Sequence, residues 1–334
     1  MQQHKTHVVV FFVACFVLAA VAVLAAKPGQ QGRQQSQVSA TAPPDSKPEE
    51  SRLQPTAAVR ERRAAEPVKT GPASTSAFAA AAEQNSLFKY ELDWTFGGKR
   101  QNGWYLYVPL ISRLIETDAN AAPHHFALAL ARWQQSAGLA ASGVLDDETL
   151  YRMVSDWQGS RLKEKTPAAP EQLLLAPSTD FFDPARPDEL RQVERATYAA
   201  YKRMVAAAAA DPSLGLGVRA PGELAPSEKY LKIISSFRSR EYQERLRRES
   251  PHSGRAGLAR HSPHFTGRAL DLYVGGEPVE TKDSNRALQV QTRVYKWLVK
   301  NADRFGFRPY YYEPWHWEYV GDLNAGDTKV AGQR

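Results

Sequence analysis

Sulfur is nearly absent from this 334-residue chain, which has a single cysteine, Cys15. One cysteine excludes an intramolecular disulfide and a cysteine-rich zinc site. The fold must therefore rest on its apolar core, and any metal on nitrogen and oxygen ligands. Lipid modification of Cys15 is disfavoured too, since only seven apolar residues precede it and Phe12 stands at the −3 position. A G-x-S-x-G sequence is missing, which removes the strand–turn–helix setting of a serine hydrolase nucleophile. Zinc knuckles, basic helices and aromatic RNA-binding motifs are missing as well, so the formal charge of +7 and the pI of about 9.3 do not indicate nucleic acid. That mild basic excess suits an anionic polymer or a membrane surface. Aromatic residues are scarce early in the chain: residues 27–84 hold one, Phe78, amid Ala, Gln, Pro, Ser and charge. Such a composition buries too little apolar surface to fold by itself.

What is present divides the chain into four parts. Residues 8–26 form an unbroken apolar run of 19 residues behind a short polar segment containing Lys5. About 20 such residues span a bilayer, so residues 1–26 read as a signal peptide or membrane anchor, with the rest of the chain outside the cytoplasm, in the periplasm or cell envelope. Residues 27–85 read as a disordered tether whose coil would span about 40–45 Å. Residues 86–160 read as a small helical module: Phe126, Leu130 and Trp133 follow an i, i+4, i+7 stripe, Gly138 suits a C-cap, and Asp146 or Asp147 an N-cap. Its tryptophans, Trp94 and Trp104, serve either as core or as a binding surface.

After a short connector, residues 175–325 mix elements. A helix is expected over 187–210, a strand from Leu231, a helix over 241–249, a strand over 267–274, a helix over 286–305 stopped by Gly306, and a last strand over 310–320. Strands separated by helices without regular alternation predict an α+β fold, a small antiparallel sheet with flanking helices.

Two stretches carry the chemistry: SPHFTGRALD (262–271) and EPWHWEYVG (313–321). They offer His264, Asp271 and His316 as metal ligands, with Glu313 three residues before the last. Two imidazoles and one carboxylate leave a fourth zinc position open for water, and a spare glutamate can move that water's proton. On a strand over 267–274, Gly267, Ala269 and Asp271 share one face and Leu270, Leu272 and Val274 the other. In the last strand Trp315, Trp317 and Tyr319 would face the core, and His316 and Glu318 the cleft. Pro314 cannot donate a sheet hydrogen bond, so a break there could bring Glu313 to the side of His316. Glu318 reads either as a hydrogen-bond partner of a metal-bound histidine or as a rim charge. His252 and His261 read as surface or loop histidines, and His124 and His125 lack a nearby acid.

In order, SPHFTGRALD resembles the S-x-H-x-x-G-x-A-x-D motif, and EPWHWEYVG the E-P-W-H motif, of the VanY-related D-alanyl-D-alanine carboxypeptidases of the LAS group of zinc peptidases. SSFRSREYQ (235–243) is similar to that family's S-x-Y-R-S-x-x-x-Q segment, with Phe237 at the aromatic position. The resemblance spans about residues 235–321. It implies Zn2+ held by His264, Asp271 and His316. It further implies Glu313 as the general base that later passes the proton to the leaving amine, and Arg238 as the group that steadies the scissile carbonyl or the substrate carboxylate. Gln243 and Ser262 are implied as substrate-binding positions, although a turn-forming serine is the other reading of Ser262. Pro263 and Phe265 depart from the common S-E-H-Q, and Glu318 stands where many relatives carry a basic residue, which blurs the substrate. Farther upstream, ALARWQQSAGLAASGVLDDETLYRM resembles the second half of a peptidoglycan-binding-domain repeat.

Together these readings predict a zinc D,D-carboxypeptidase acting on peptidoglycan stem peptides, with glycan contacts from the helical module, membrane association through the N-terminal apolar segment, and no nucleic-acid partner. The alternatives are an L,D- or cross-bridge endopeptidase using the same zinc site, and a non-catalytic wall-binding protein whose zinc is structural. Glu313 argues against the last, because a structural site has no use for a spare acid.

Overall fold

The computed structural model describes residues 78–249 and 262–321. The expected apolar anchor, Cys15, most of the tether, His252 and His261 lie outside the described residues. No helix among the described residues is long and apolar enough to cross a membrane. The described residues fall within one compact unit, and their architecture is α+β with small antiparallel sheets.

The first half is helical. Helix α1 (Ala79–Glu91) begins inside the stretch expected to be tether. Ala81, Ala82 and Asn85 are buried, Phe78 packs with Ala127 and Ala131, and Asn85 Nδ2 donates to the Gly143 carbonyl. Small alanine side chains thus give close helix packing to a segment whose composition alone looks too polar to fold. A hairpin follows, β1 (Asp93–Phe96) and β2 (Lys99–Asn102), joined through Gly97 and Gly98, both at positive φ. Two consecutive positive-φ residues are what a tight hairpin turn requires. Helices α2 (Val108–Leu114), α3 (Pro123–Ser136) and α4 (Asp147–Ser160) complete the segment. Gly138, at positive φ, follows α3, and Asp146 caps α4 by accepting from the Thr149 amide. Trp94 and Trp104 are buried, which assigns these tryptophans to the core.

Further along, β3 (Leu173–Leu175) pairs with β4 (Gln192–Glu194), and α5 (Arg195–Ala209) follows at once. The single helix expected over 187–210 is corrected here: Glu194 accepts from the amides of Ala196 and Thr197, so its side chain starts the helix eight residues later than Pro187 suggested. A short hairpin, β5 (Val218–Ala220) and β6 (Glu223–Leu224), leads to the main sheet. That sheet contains β7 (Ile233–Ser235), β8 (Ala269–Leu272), β9 (Phe307–Pro309) and β10 (His316–Tyr319), all antiparallel, in the order β7-β8-β10-β9. Helix α6 (Arg240–Glu249) lies between β7 and β8 in sequence.

Two more expectations are corrected. The helix read over 286–305 is two helices, α7 (Asp283–Gln291) and α8 (Arg293–Asn301), followed by a 3-10 turn that Gly306 ends. Thr292 takes an extended conformation between them, and its hydroxyl accepts from the Tyr295 amide and donates to the Val274 carbonyl. The strand read over 310–320 is instead a β9–β10 hairpin whose connecting loop carries Glu313.

The second half has a core of Leu270, Leu272, Trp315, Trp317, Tyr201, Met204 and Leu298. A second core joins the helical half, through Trp94, Trp104, Leu130 and Trp157, to Tyr310 and Tyr311 of the β9–β10 loop. Arg286 of α7 donates to the Tyr107 hydroxyl at 2.9 Å and lies 4.2 Å from the centre of the Tyr312 ring, tying the two halves further.

Candidate metal centre

Strand β8 lies between β7 and β10, and the register sets Asp271 opposite His316 on one side and Ser235 on the other. Directly opposed residues share a face, with Cβ atoms about 4.5–5.5 Å apart. His264 arrives from the 3-10 turn Pro263–Thr266 just before β8. Ser262 caps this turn, its hydroxyl accepting from the His264 amide at 3.3 Å. Gly267 ends it at φ 67°, where an added Cβ would meet the Glu194 nitrogen and a Leu173 methyl at 2.9 Å. Only glycine fits both that conformation and that approach to β3 and β4. The His264 and His316 rings then meet edge to face, with centroids 5.0 Å apart.

One nitrogen from each imidazole and one Asp271 oxygen lie within 4.8 Å of one another. His264 Nε2 is 3.3 Å, and His316 Nδ1 2.9 Å, from Asp271 Oδ1. The far side of each group is anchored. His264 Nδ1–H donates to the Ser236 carbonyl at 2.7 Å, and His316 Nε2–H to Glu318 Oε1 at 3.1 Å. Asp271 Oδ2 accepts from Arg238 Nη2 at 2.8 Å. Each group thus presents one donor atom to a common point while a fixed partner holds the other, which is how metal-binding histidines are oriented and their tautomers fixed.

Burial and charge sort the protonation states. Burial, with Arg238 assisting, pushes His264 down to about 4, so it is neutral at pH 7. Burial would lower His316 as well, but its hydrogen bonds to Asp271 and Glu318 prevail and raise it to about 9. Asp271 is held well below the usual carboxylate range because His264, His316 and Arg238 overcome the opposing effect of burial. Glu318, also buried, is brought down to about 2 by His316 and Arg161.

Glu313 behaves differently. It sits in the β9–β10 loop, where its carbonyl accepts from the His316 amide at 2.9 Å and its own amide donates to the Tyr310 carbonyl at 3.1 Å. This loop supplies the break expected at Pro314, since β10 begins only at His316. Glu313 is 6% exposed, and its Oε1 has no hydrogen-bond partner among the described residues. Burial raises its pKa, against the pull of His316 and Arg238. A buried carboxylate oxygen without a partner is costly and is retained where it has something to receive.

The structure therefore gathers Arg238, His264, Asp271 and His316 around one point, with Glu313 buried within electrostatic reach of His316, Asp271 and Arg238. Gln243 is buried beside them, its Oε1 accepting from Arg238 Nη1 at 3.5 Å. Arg238 is committed to Asp271 and, through Nε, to the Ser235 hydroxyl at 3.0 Å. Ser262 serves the turn. His124 and His125 lie side by side in α3, with ring centroids 4.1 Å apart and planes tilted by 53°, and give nothing to this cluster. Two partners escaped the sequence reading. The Ser236 carbonyl carries no side-chain signal, and Arg161 belongs to no motif. Glu318, open between two roles in the sequence, is 1% exposed and bonded to His316, so it is no rim charge.

Nitrogen and oxygen donors of this kind, two imidazoles and a carboxylate, fit a small divalent cation such as zinc and leave a coordination position open. Residues 191–322 match a family model, VanY, described as D-alanyl-D-alanine carboxypeptidase. All five clustered residues fall inside the match. No curated protein matches the chain.

Proposed function

We propose that this chain is a zinc-dependent D-alanyl-D-alanine carboxypeptidase acting on peptidoglycan stem peptides outside the cytoplasm. The observation that carries the reading is the convergence of His264, Asp271 and His316 within 4.8 Å of one another, with the buried Glu313, whose Oε1 has no hydrogen-bond partner among the described residues, in electrostatic reach of His316. The VanY match over residues 191–322 supports peptidase chemistry of the carboxypeptidase type. Localisation follows from the apolar run at residues 8–26, which suits export or anchoring.

His264, Asp271 and His316 would hold the ion. Zinc, when bound, supplies Lewis acidity toward a carbonyl and lowers the pKa of a water toward about 7. Glu313 takes a proton from the attacking water and returns it to the departing amine; burial makes its carboxylate a stronger base than an exposed glutamate. Arg238 keeps Asp271 ionised and brings positive charge beside the point where negative charge grows on the carbonyl oxygen.

The test is release of free D-Ala from a D-Ala-terminated muropeptide, followed by mass spectrometry, with metal, after chelation, and in Glu313→Gln. Chelation should abolish release, and Glu313→Gln should lower kcat about 10²–10⁴-fold. Turnover that survives both treatments contradicts the mechanism. Internal fragments in place of free D-Ala would make the enzyme an endopeptidase.

A further inference from the structure

We propose that Arg161, supplied by the helical half, acts through Glu318 as a positioning residue for His316, so that the helical half completes the metal centre. This inference rests on the metal reading given above.

Glu318 stands two residues after His316 on β10, and the carboxylate is enclosed. Its Oε1 accepts from His316 Nε2–H at 3.1 Å and from Arg161 Nε at 3.1 Å, with Arg161 Nη2 on the same oxygen. Its Oε2 accepts from the Leu162 amide at 2.9 Å. Three of these four donors therefore come from the two residues that follow α4. A buried carboxylate needs a counter-charge and filled hydrogen-bond positions, or it will take up a proton or turn away. Arg161 and the Leu162 amide meet that need and point the remaining acceptor direction at His316. Holding Nε2–H in this way leaves Nδ1 toward Asp271 and fixes the tilt of the ring.

Arg161 is itself well held. Its Nη1 donates to Gln158 Oε1 at 2.9 Å, and its guanidinium lies 4.0 Å from the centre of the Tyr310 ring. Tyr310 opens the loop that carries Glu313, so one side chain braces both the strand bearing a ligand and the loop bearing the base. The family match begins at residue 191 and so includes Glu318 but not Arg161. Residues 191–322 alone lack both Arg161 and the Leu162 amide, which supply three of the four hydrogen bonds to Glu318.

The experiment uses the full-length chain and two readouts other than turnover: zinc affinity by competition with a chromophoric chelator, and the visible spectrum of the cobalt(II)-substituted protein. Arg161→Ala should weaken zinc binding about 10–100-fold, the usual effect of removing the partner of a metal-bound histidine, and should alter the cobalt spectrum. Arg161→Lys should recover part of both, since it restores charge but not the two-pronged contact. Glu318→Gln, close in volume, provides the same reading should Arg161→Ala fail to fold. Tyr107→Phe is the control: it removes the Arg286–Tyr107 bond at the same junction, and should lower the melting temperature while leaving zinc affinity and the cobalt spectrum unchanged.

If Arg161→Ala, or Glu318→Gln in its place, keeps wild-type zinc affinity and spectrum, the contact only joins the two halves and this inference falls alone. If the wild-type chain binds no zinc, the metal reading falls and takes this inference with it.

Discussion

Asp271 shows how much one side chain organises here. Its Oδ1 lies near both imidazoles and its Oδ2 accepts from Arg238. His316, raised to about 9 by Asp271 and Glu318 despite its burial, carries a proton at neutral pH that a metal must displace from the ring. Between pH 6 and about 9 that proton competes with the ion, so apparent zinc affinity should rise with pH, by up to about tenfold per unit, and level off above about 9. Calorimetry across this range in several buffers should also find close to one proton released per zinc at pH 7. Constant affinity from pH 6 to 9, with no proton release, would contradict the account of His316. His264, already neutral, adds nothing to this dependence.

The residues that could be read from sequence, His264, Asp271, Glu313 and His316, sit in two short motifs, where neighbours in the chain are also neighbours in space. Arg161 escaped because it lies 157 residues from Glu318, and only the fold, which brings the two residues after α4 to β10, makes the pair.

Among the elements, the turn from His264 into β8 is the least tolerant. Gly267→Ala places a methyl 2.9 Å from backbone of β4 and from Leu173, at a φ that alanine disfavours. The cost should be about 1–3 kcal/mol, read as a lower midpoint in denaturant unfolding. Zinc binding should weaken with it, since the same turn sets His264. An unchanged midpoint would show that the turn relaxes freely. Helix boundaries were the least legible part of the fold for a related reason. The apolar spacing of residues 187–210 and 286–305 continues through Val193 and Val290, but Glu194 and Thr292 cap the following helices from within. Periodicity reports which residues are buried, and those were read well: Leu270, Leu272, Trp315 and Trp317 all lie in the core. It does not report where a side-chain oxygen intercepts the backbone.

Between the two halves of the described chain, the shared core is what sequence composition concealed. Tyr310, Tyr311 and Tyr312 look like strand residues, yet Tyr310 and Tyr311 join Trp94 and Trp157 in the helical core, and Phe96 packs 5.0 Å from Tyr311 between ring centroids. A fragment beginning at Lys163 would expose these rings and lose Arg161. It should show weak near-ultraviolet circular dichroism and no cooperative melting, in contrast to the full-length chain. A fragment that melts cooperatively near the full-length temperature would contradict a common core.

The most direct measurement for the account as a whole is the zinc stoichiometry of the purified full-length chain after extensive dialysis, compared with His316→Ala. One tightly held ion per chain, lost in the variant, is the predicted result. Equal and loose binding by both proteins would contradict it.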